Sequence, residues 1–261
     1  MSANTERWPF EPGVHQVLEL LLANMQAVLR DEFIGLYLSG SLACGDFDPH
    51  TSDIDFLVVT RDELSAAQLA AVDGLHQRLL ESSPQWGGEL EGSYISLGAI
   101  RRHQRPPAAH PHLERGCGQL RVEPHDSDWI IHRYIIRNQG VTLAGPPPEQ
   151  LIDPITPTEL KQAVRDLLFG WWEPMLKDPA RLVHLGYRYY AVQTMCRTLY
   201  TLEFGRLVSK PVAAQWAKTE LGGRWAPLIE ESFTWPRVER STSFDETLEL
   251  IRYTLDYYRS C

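Results

Sequence analysis

The sequence predicts an α+β chain, with an N-terminal domain on a small mixed β-sheet and a C-terminal α-helical bundle. Three observations carry this. Two apolar, strand-forming runs lie close together at 34–38 and 56–59; the first ends in Ser39-Gly40-Ser41 and the second is led by Asp53-Ile54-Asp55. A stretch of turn formers, Gly145-Pro146-Pro147-Pro148 with Pro154 and Pro157 beyond it, marks a boundary. After that boundary the apolar residues recur almost wholly at helical spacing. The expected division is residues 1–150 and 151–261.

In chain order, 14–33 carries Val14, Val17, Leu18, Leu21, Leu22, Met25, Val28 and Leu29 at helical spacing. The first strand follows and turns into a helix at Ser39-Gly40-Ser41. In the linker, Asp46 and Asp48 suit turn geometry. The second strand starts at the paired aspartates. Arg61-Asp62-Glu63-Leu64 then opens an amphipathic helix with Leu64, Leu69, Val72, Leu75, Leu79 and Leu80, which fades at Ser82-Ser83-Pro84. Residues 90–97 read as a third strand. The alternation of helices and strands suits a layered domain around a mixed sheet. Residues 101–112, rich in Pro, His and Arg, read as a loop over one end of the sheet, and a helix over 127–139 closes the domain. Beyond the boundary, helices are expected over 158–169, 179–204, 210–221, 225–233 and 241–258. Thr158 is the expected cap of the first, with Glu159 in its first turn, and Ser241 starts the last, ahead of Asp245-Glu246. A ligand cleft is expected between the two domains.

Composition narrows the function. The 261 residues are 43% hydrophobic and 23% charged, ordinary for a globular protein. No apolar run reaches the ~18 residues needed to span a bilayer, and the first residues lack the basic end and apolar core of a signal peptide. Cys44, Cys117, Cys196 and Cys261 are scattered without zinc or Cys-x-x-Cys spacing. A reduced cytoplasmic protein is expected. The formal charge is -9 and the pI about 5.5, without the basic face that long nucleic acid requires. A small substrate suits this balance, and a cationic one is tolerated.

The chemistry lies in the two motifs. Along a strand, Asp53 and Asp55 point the same way and Ile54 the other. Two carboxylates ~7 Å apart on one strand face repel each other. Magnesium meets that need, since it takes oxygen ligands from one or two carboxylates plus substrate phosphates. Gly40 permits close backbone approach to a phosphate, and N–H groups at a helix start favour an anion, with the Ser41 hydroxyl beside them. This is a phosphate cradle next to metal carboxylates. The pattern resembles the nucleotidyltransferase superfamily signature: Gly-Ser, a short gap, then Asp-x-Asp at a strand start. That resemblance implies a third carboxylate on the adjacent strand, acting as metal ligand, general base or both. Glu91 is the candidate, and Glu89 shares its strand face by the period-two rule.

Further blocks resemble the aminoglycoside-3''-adenylyltransferase (streptomycin/spectinomycin adenylyltransferase) family. They are Val141-Thr142-Leu143-Ala144-Gly145-Pro146, Leu151-Ile152-Asp153-Pro154, Arg197-Thr198-Leu199-Tyr200 and the run from Ser209-Lys210-Pro211 to Trp216-Ala217. The resemblance implies transfer of AMP from ATP to a hydroxyl of an aminoglycoside or similar small cationic acceptor, with Mg2+. It implies Asp53, Asp55 and Glu91 as catalytic and metal-binding residues, with Glu91 the base. It also implies Gly40, Ser41, Arg197 and Lys210 on ATP phosphates, and Asp128 near the acceptor. On its own, Asp128 in His125-Asp126-Ser127-Asp128 would read equally as a helix-start carboxylate. The loop before Leu120 lacks the tryptophan that streptomycin-modifying members present, so the acceptor half of the pattern is altered. Alternative readings are an adenylyltransferase with a protein or other macromolecular target, and an inactive nucleotide-binding module. A monomer is the expected state.

Overall fold

The first helix, α1 (Pro12–Leu29), has proline where the helix begins and φ is already preset. Its Val14, Val17, Leu18, Leu21, Met25 and Leu29 form one buried face. It stops short of the apolar spacing that runs to residue 33. Arg30 swings to a φ of 49°, a 3-10 turn covers Arg30–Glu32, and Phe33 already belongs to β1 (Phe33–Leu38). The computed structural model describes residues 10–234 and 243–260. It comprises two compact units, Met1–Pro154 and Ile155–Cys261.

After β1 the first unit continues through α2 (Gly40–Cys44), β2 (Ile54–Thr60), α3 (Ala66–Ser82), α4 (Pro84–Gly87), β3 (Leu90–Ser96) and α5 (Leu97–Ile100). It ends with β4 (Ala109–Leu113), β5 (Leu120–Pro124), α6 (Asp128–Gln139), β6 (Val141–Ala144) and α7 (Pro148–Leu151). Helix α3 starts later than Arg61, because Ser65 makes a full capping box with Gln68 and fixes the N-terminus there. The expected loop over 101–112 is corrected at its end. Residues 109–113 form β4, bonded to β3 on one side and β5 on the other. Ala-His-Pro-His-Leu lacks β-branched residues and contains a proline, so local preference argued against a strand that the sheet imposes.

The sheet order is β5-β4-β3-β2-β1-β6. Every neighbouring pair is antiparallel except β2 and β3, which run parallel with Asp55 opposite Glu91. A parallel pair needs a long crossover, and α3 lies in it. Ile54, Phe56, Val58, Leu90 and Tyr94 join the core formed with Val14, Leu18, Leu21 and Met25 of α1 and Val72, Leu75 and Leu79 of α3. By alternation, Asp55, Glu91 and Ser93 emerge on the opposite face.

The second unit contains α8 (Pro157–Leu167), a π-helical turn at Leu168–Trp172, 3-10 turns at Pro174–Leu176 and Ala180–Val183, and α9 (Leu185–Phe204). It continues with α10 (Lys210–Glu220), α11 (Ala226–Ser232) and α12 (Ser243–Ser260). Helix α9 is its axis: Ala191, Val192, Met195 and Cys196 are fully buried among Ala213, Ala214, Leu228, Ile229, Leu250 and Ile251. The proposed start at Ser241 lies outside the described residues. Among the described residues, no helix is long and apolar enough to cross a membrane.

Thr156, not Thr158, caps α8. Its hydroxyl accepts from Glu159 N–H at 3.2 Å while Thr156 N–H donates to Glu159 Oε2 at 2.8 Å. Thr156→Ala is therefore expected to lower the unfolding free energy by about 1 kcal/mol. Thr158→Ala, at an exposed position, should change it by less than about 0.5 kcal/mol. Urea titrations of both variants decide this, and the reverse order would return the cap to Thr158.

Candidate active site

Gly40 opens α2 directly after β1. Its φ is +54°, and a Cβ placed on it would stand 1.6 Å from Asp55 Oδ2. Glycine is required here because the backbone is left-handed and the Asp55 carboxylate fills the space a side chain would take. The backbone holds the same pair together, with Ser39 N–H donating to Asp55 O at 3.0 Å. Next to it, Ser41 Oγ is buried without a hydrogen-bond partner. A buried polar group left unsatisfied costs about 1–3 kcal/mol, so this hydroxyl is ready for an incoming one.

Asp53 lies just before β2 and Asp55 just inside it, on either side of the fully buried Ile54. Parallel pairing sets Glu91 of β3 beside Asp55. Burial pushes the Glu91 carboxyl up to about 7, and the charge of Asp53 adds to the effect. Glu89 and Glu91, equivalent by the period-two rule, differ in surroundings: Glu89 forms an ion pair with Arg115, whereas Glu91 lines a cavity of about 150 Å³ with Ser39 and Asp55. Asp128, at the first turn of α6, lines the same cavity. Burial raises its pKa, opposed by the N–H of Trp129. Asp55, Glu91, Glu123 and Asp128 are the charged carboxylates of the lining, which contains no Lys or Arg.

Of the residues nominated from sequence, Gly40, Ser41, Asp53, Asp55, Glu91 and Asp128 thus belong to the first unit, around the leading ends of β2 and β3. Arg197 and Lys210 belong to the second. Arg197 lies half-buried on α9, and Lys210 is the first residue of α10 with its Nζ 5.0 Å from the centre of the Tyr190 ring. Sequence reasoning missed Ser93, His112, Glu123, His125 and Trp129. Ser93 belongs to β3 itself, while the others come from β4, β5, α6 and the turn between the last two, and only the density of histidines after residue 102 signalled them. Asp48 keeps the turn role expected of it, accepting from His50 N–H at 2.9 Å.

The donors present suit a hard cation, being carboxylate oxygens, with the charge of Asp53 adding to the burial that raises the Glu91 pKa. Among the described residues, however, no group of three His, Cys, Asp or Glu side chains is gathered closely enough to hold a metal by itself. Magnesium needs fewer, since it keeps waters and substrate oxygens in its shell.

Because burial and Asp53 penalise its ionised form and set the folded-state pKa of Glu91 above its ordinary 4.5, stability is highest with respect to this group below about pH 4.5 and falls as pH rises toward about 7. The part carried by Glu91 amounts to roughly 3 kcal/mol at most. In EDTA, Glu91→Gln should remove that fall in stability between the two pH values. Urea unfolding across the interval measures it, and an unchanged slope would mean Glu91 is not a crowded, buried acid.

Residues 26–96 match the model of the nucleotidyltransferase domain, and residues 150–259 match that of the aminoglycoside adenylyltransferase C-terminal domain. A spectinomycin 9-adenylyltransferase of Campylobacter jejuni is 27% identical over 94% of this chain and 93% of its own length. An aminoglycoside (3'') (9) adenylyltransferase of Klebsiella pneumoniae is 28% identical over 78% of each. In fold, the chain is similar to a spectinomycin adenyltransferase of Enterococcus faecialis solved with ATP and spectinomycin. The TM-score is 0.72 at 16% identity, covering 93% of this chain and 99% of that one. With both domains matched in order along one chain and such relatives over most of its length, the protein belongs to the aminoglycoside adenylyltransferase family of the nucleotidyltransferase superfamily and is an enzyme of that kind.

Proposed function

We propose that this enzyme transfers AMP from ATP to a hydroxyl of a small cationic acceptor of the spectinomycin or streptomycin type, with Mg2+, as a cytoplasmic monomer. The observation that carries the reading is the register pair Asp55–Glu91 set against Gly40-Ser41. Those four residues unite a phosphate cradle, a metal carboxylate and a base within one strand-end cluster. The names of the relatives, which are spectinomycin and aminoglycoside adenylyltransferases, supply the acceptor class. The cavity supports it, because a lining whose charges are all carboxylates favours ammonium groups. Among the described residues, Cys44, Cys117 and Cys196 form no disulfide, which suits a reducing compartment.

In this reading the acceptor oxygen attacks the α-phosphorus of ATP, the bond to pyrophosphate breaks, and the hydroxyl proton passes to Glu91. A carboxylate poised near neutral pH combines a useful ionised fraction with a higher proton affinity than an ordinary glutamate. Asp53 and Asp55, with Glu91 beside them, would hold Mg2+, which when bound offsets charge on the phosphates. Ser41 Oγ and the N–H groups around Gly40 take phosphate oxygens. Arg197 and Lys210 serve the triphosphate as charge-assisted donors. Asp128 takes an amine of the acceptor.

Mass spectrometry of spectinomycin and streptomycin incubated with the enzyme, ATP and Mg2+ tests the reaction. A gain of one AMP on either is expected; labelled AMP on protein or RNA alone would replace the acceptor class. Asp53→Asn and Asp55→Asn should each abolish transfer while the fold persists, and near-normal turnover in magnesium would remove the metal assignment. Glu91→Gln should lower kcat by ~100-fold or more with ATP affinity far less affected. Lys210→Ala should cost ~1.5–3 kcal/mol in ATP affinity by calorimetry. Unchanged ATP affinity with lost acceptor binding would reassign Lys210.

A further inference from the structure

Two residues along β3 from Glu91, the fully buried Ser93 holds its hydroxyl between two imidazoles. His125 Nε2 lies 3.2 Å from Ser93 Oγ, and His112 Nδ1 lies 2.9 Å from it on the other side. The serine has one proton, so it donates to one ring and accepts from the other. His125 decides which. Burial, with His110, Arg133, His132 and His112 nearby, pushes its pKa down to about 2, so the ring is neutral and carries a single N–H. Its Nδ1 is buried without a partner. An orphaned buried N–H is less tolerable than a bare ring nitrogen, so the proton resides on Nε2 and is donated to Ser93. Ser93 in turn donates to His112 Nδ1, which leaves the His112 proton on Nε2.

Burial also lowers the His112 pKa, only partly opposed by Glu123, Glu114 and Asp128, so this ring is neutral too. No partner for His112 Nε2 is found among the described residues, and the ring lines the cavity with Glu91 and Asp128. His125 is itself held in place by Trp129, with ring centroids 3.4 Å apart and planes within 7°. The chain of bonds therefore presents an N–H of fixed position to a cavity whose charged groups are all acceptors.

We propose that His112 is a specificity-determining residue that donates a hydrogen bond from Nε2 to an oxygen of the acceptor molecule, oriented for this by the Ser93–His125 chain. It selects acceptors that carry an ether, carbonyl or hydroxyl oxygen near the hydroxyl to be modified, whereas the carboxylates select for amines and O–H groups. Ser93 and His125 are positioning residues. The inference rests on the proposed AMP transfer to such acceptors.

The test uses the full chain with ATP, Mg2+ and spectinomycin. His112→Leu and Ser93→Ala should raise the spectinomycin KM about ten-fold or more, with the ATP KM within about two-fold. His112→Gln, whose amide can replace the Nε2–H, should restore most of the loss. A long-range 15N–1H spectrum of the imidazoles should find His112 as the Nε2–H tautomer in the wild type and as a mixture in Ser93→Ala. The proposal is overturned by an Nδ1–H tautomer, by an unchanged spectinomycin KM in His112→Leu, or by an ATP KM that rises equally. Wild-type enzyme that adenylylates neither spectinomycin nor streptomycin would overturn the functional reading and this role together. Active wild type with an unaffected His112→Leu overturns His112 alone.

Discussion

The parallel pairing of β2 with β3 is the constraint on which the site depends. Both strands begin at the same edge of the sheet because α3 carries the chain back between them. Their leading ends bear Asp53, Asp55 and Glu91, so parallel order brings acids from separate strands together, where an antiparallel hairpin would send Glu91 to the far edge. The face is set just as strictly. Ile54, Phe56, Val58, Leu90 and Tyr94 must lie under α1 and α3, and a one-residue slip would drive Glu91 into that core. The apolar packing and the register that sets Asp55 beside Glu91 are one requirement.

Such an arrangement works against itself electrostatically. Three acids at the ends of two strands, one buried enough for its carboxyl to reach about 7, do not stabilise the isolated fold. Gly40 lets Asp55 lie against the start of α2, leaving no room there for a side chain, and Ser41 adds a buried hydroxyl without a partner. Unfavourable terms of this kind concentrate where a ligand supplies what is missing. Here a cation and phosphate oxygens would supply charge and hydrogen bonds together. The rest of the first unit provides the rigidity that keeps the groups from relaxing apart.

Beside the carboxylates, another part of the cavity wall is neutral. His112 and His125 are both held uncharged by burial, so they contribute directional hydrogen bonding without cancelling the attraction of the carboxylates for an ammonium group. This wall comes from β4, β5 and α6, later in the chain than the Gly-Ser and Asp-x-Asp signature. In the proposed reading a division follows within one domain: the signature segment would serve phosphate and metal, and the later strands would shape the surface an acceptor meets.

The sequence by itself determined the α+β class, the helical second half and the acids of β2, because these rest on short-range patterns: alternation along a strand, helical spacing, and glycine beside serine at a turn. It also supplied Glu91 through resemblance, but left Glu89 level with it, since residues two apart on a strand are equivalent until neighbours are known. Tertiary structure separated them, pairing Glu89 with Arg115 and turning Glu91 to the cavity. It also made a strand of Ala109–Leu113, whose proline and histidines oppose one locally, by bonding it between β3 and β5. The hydrogen-bonded chain through Ser93 followed from that pairing. Its members are 19 and 32 residues from Ser93 along the chain, and no local pattern joins groups that only a sheet register brings into contact.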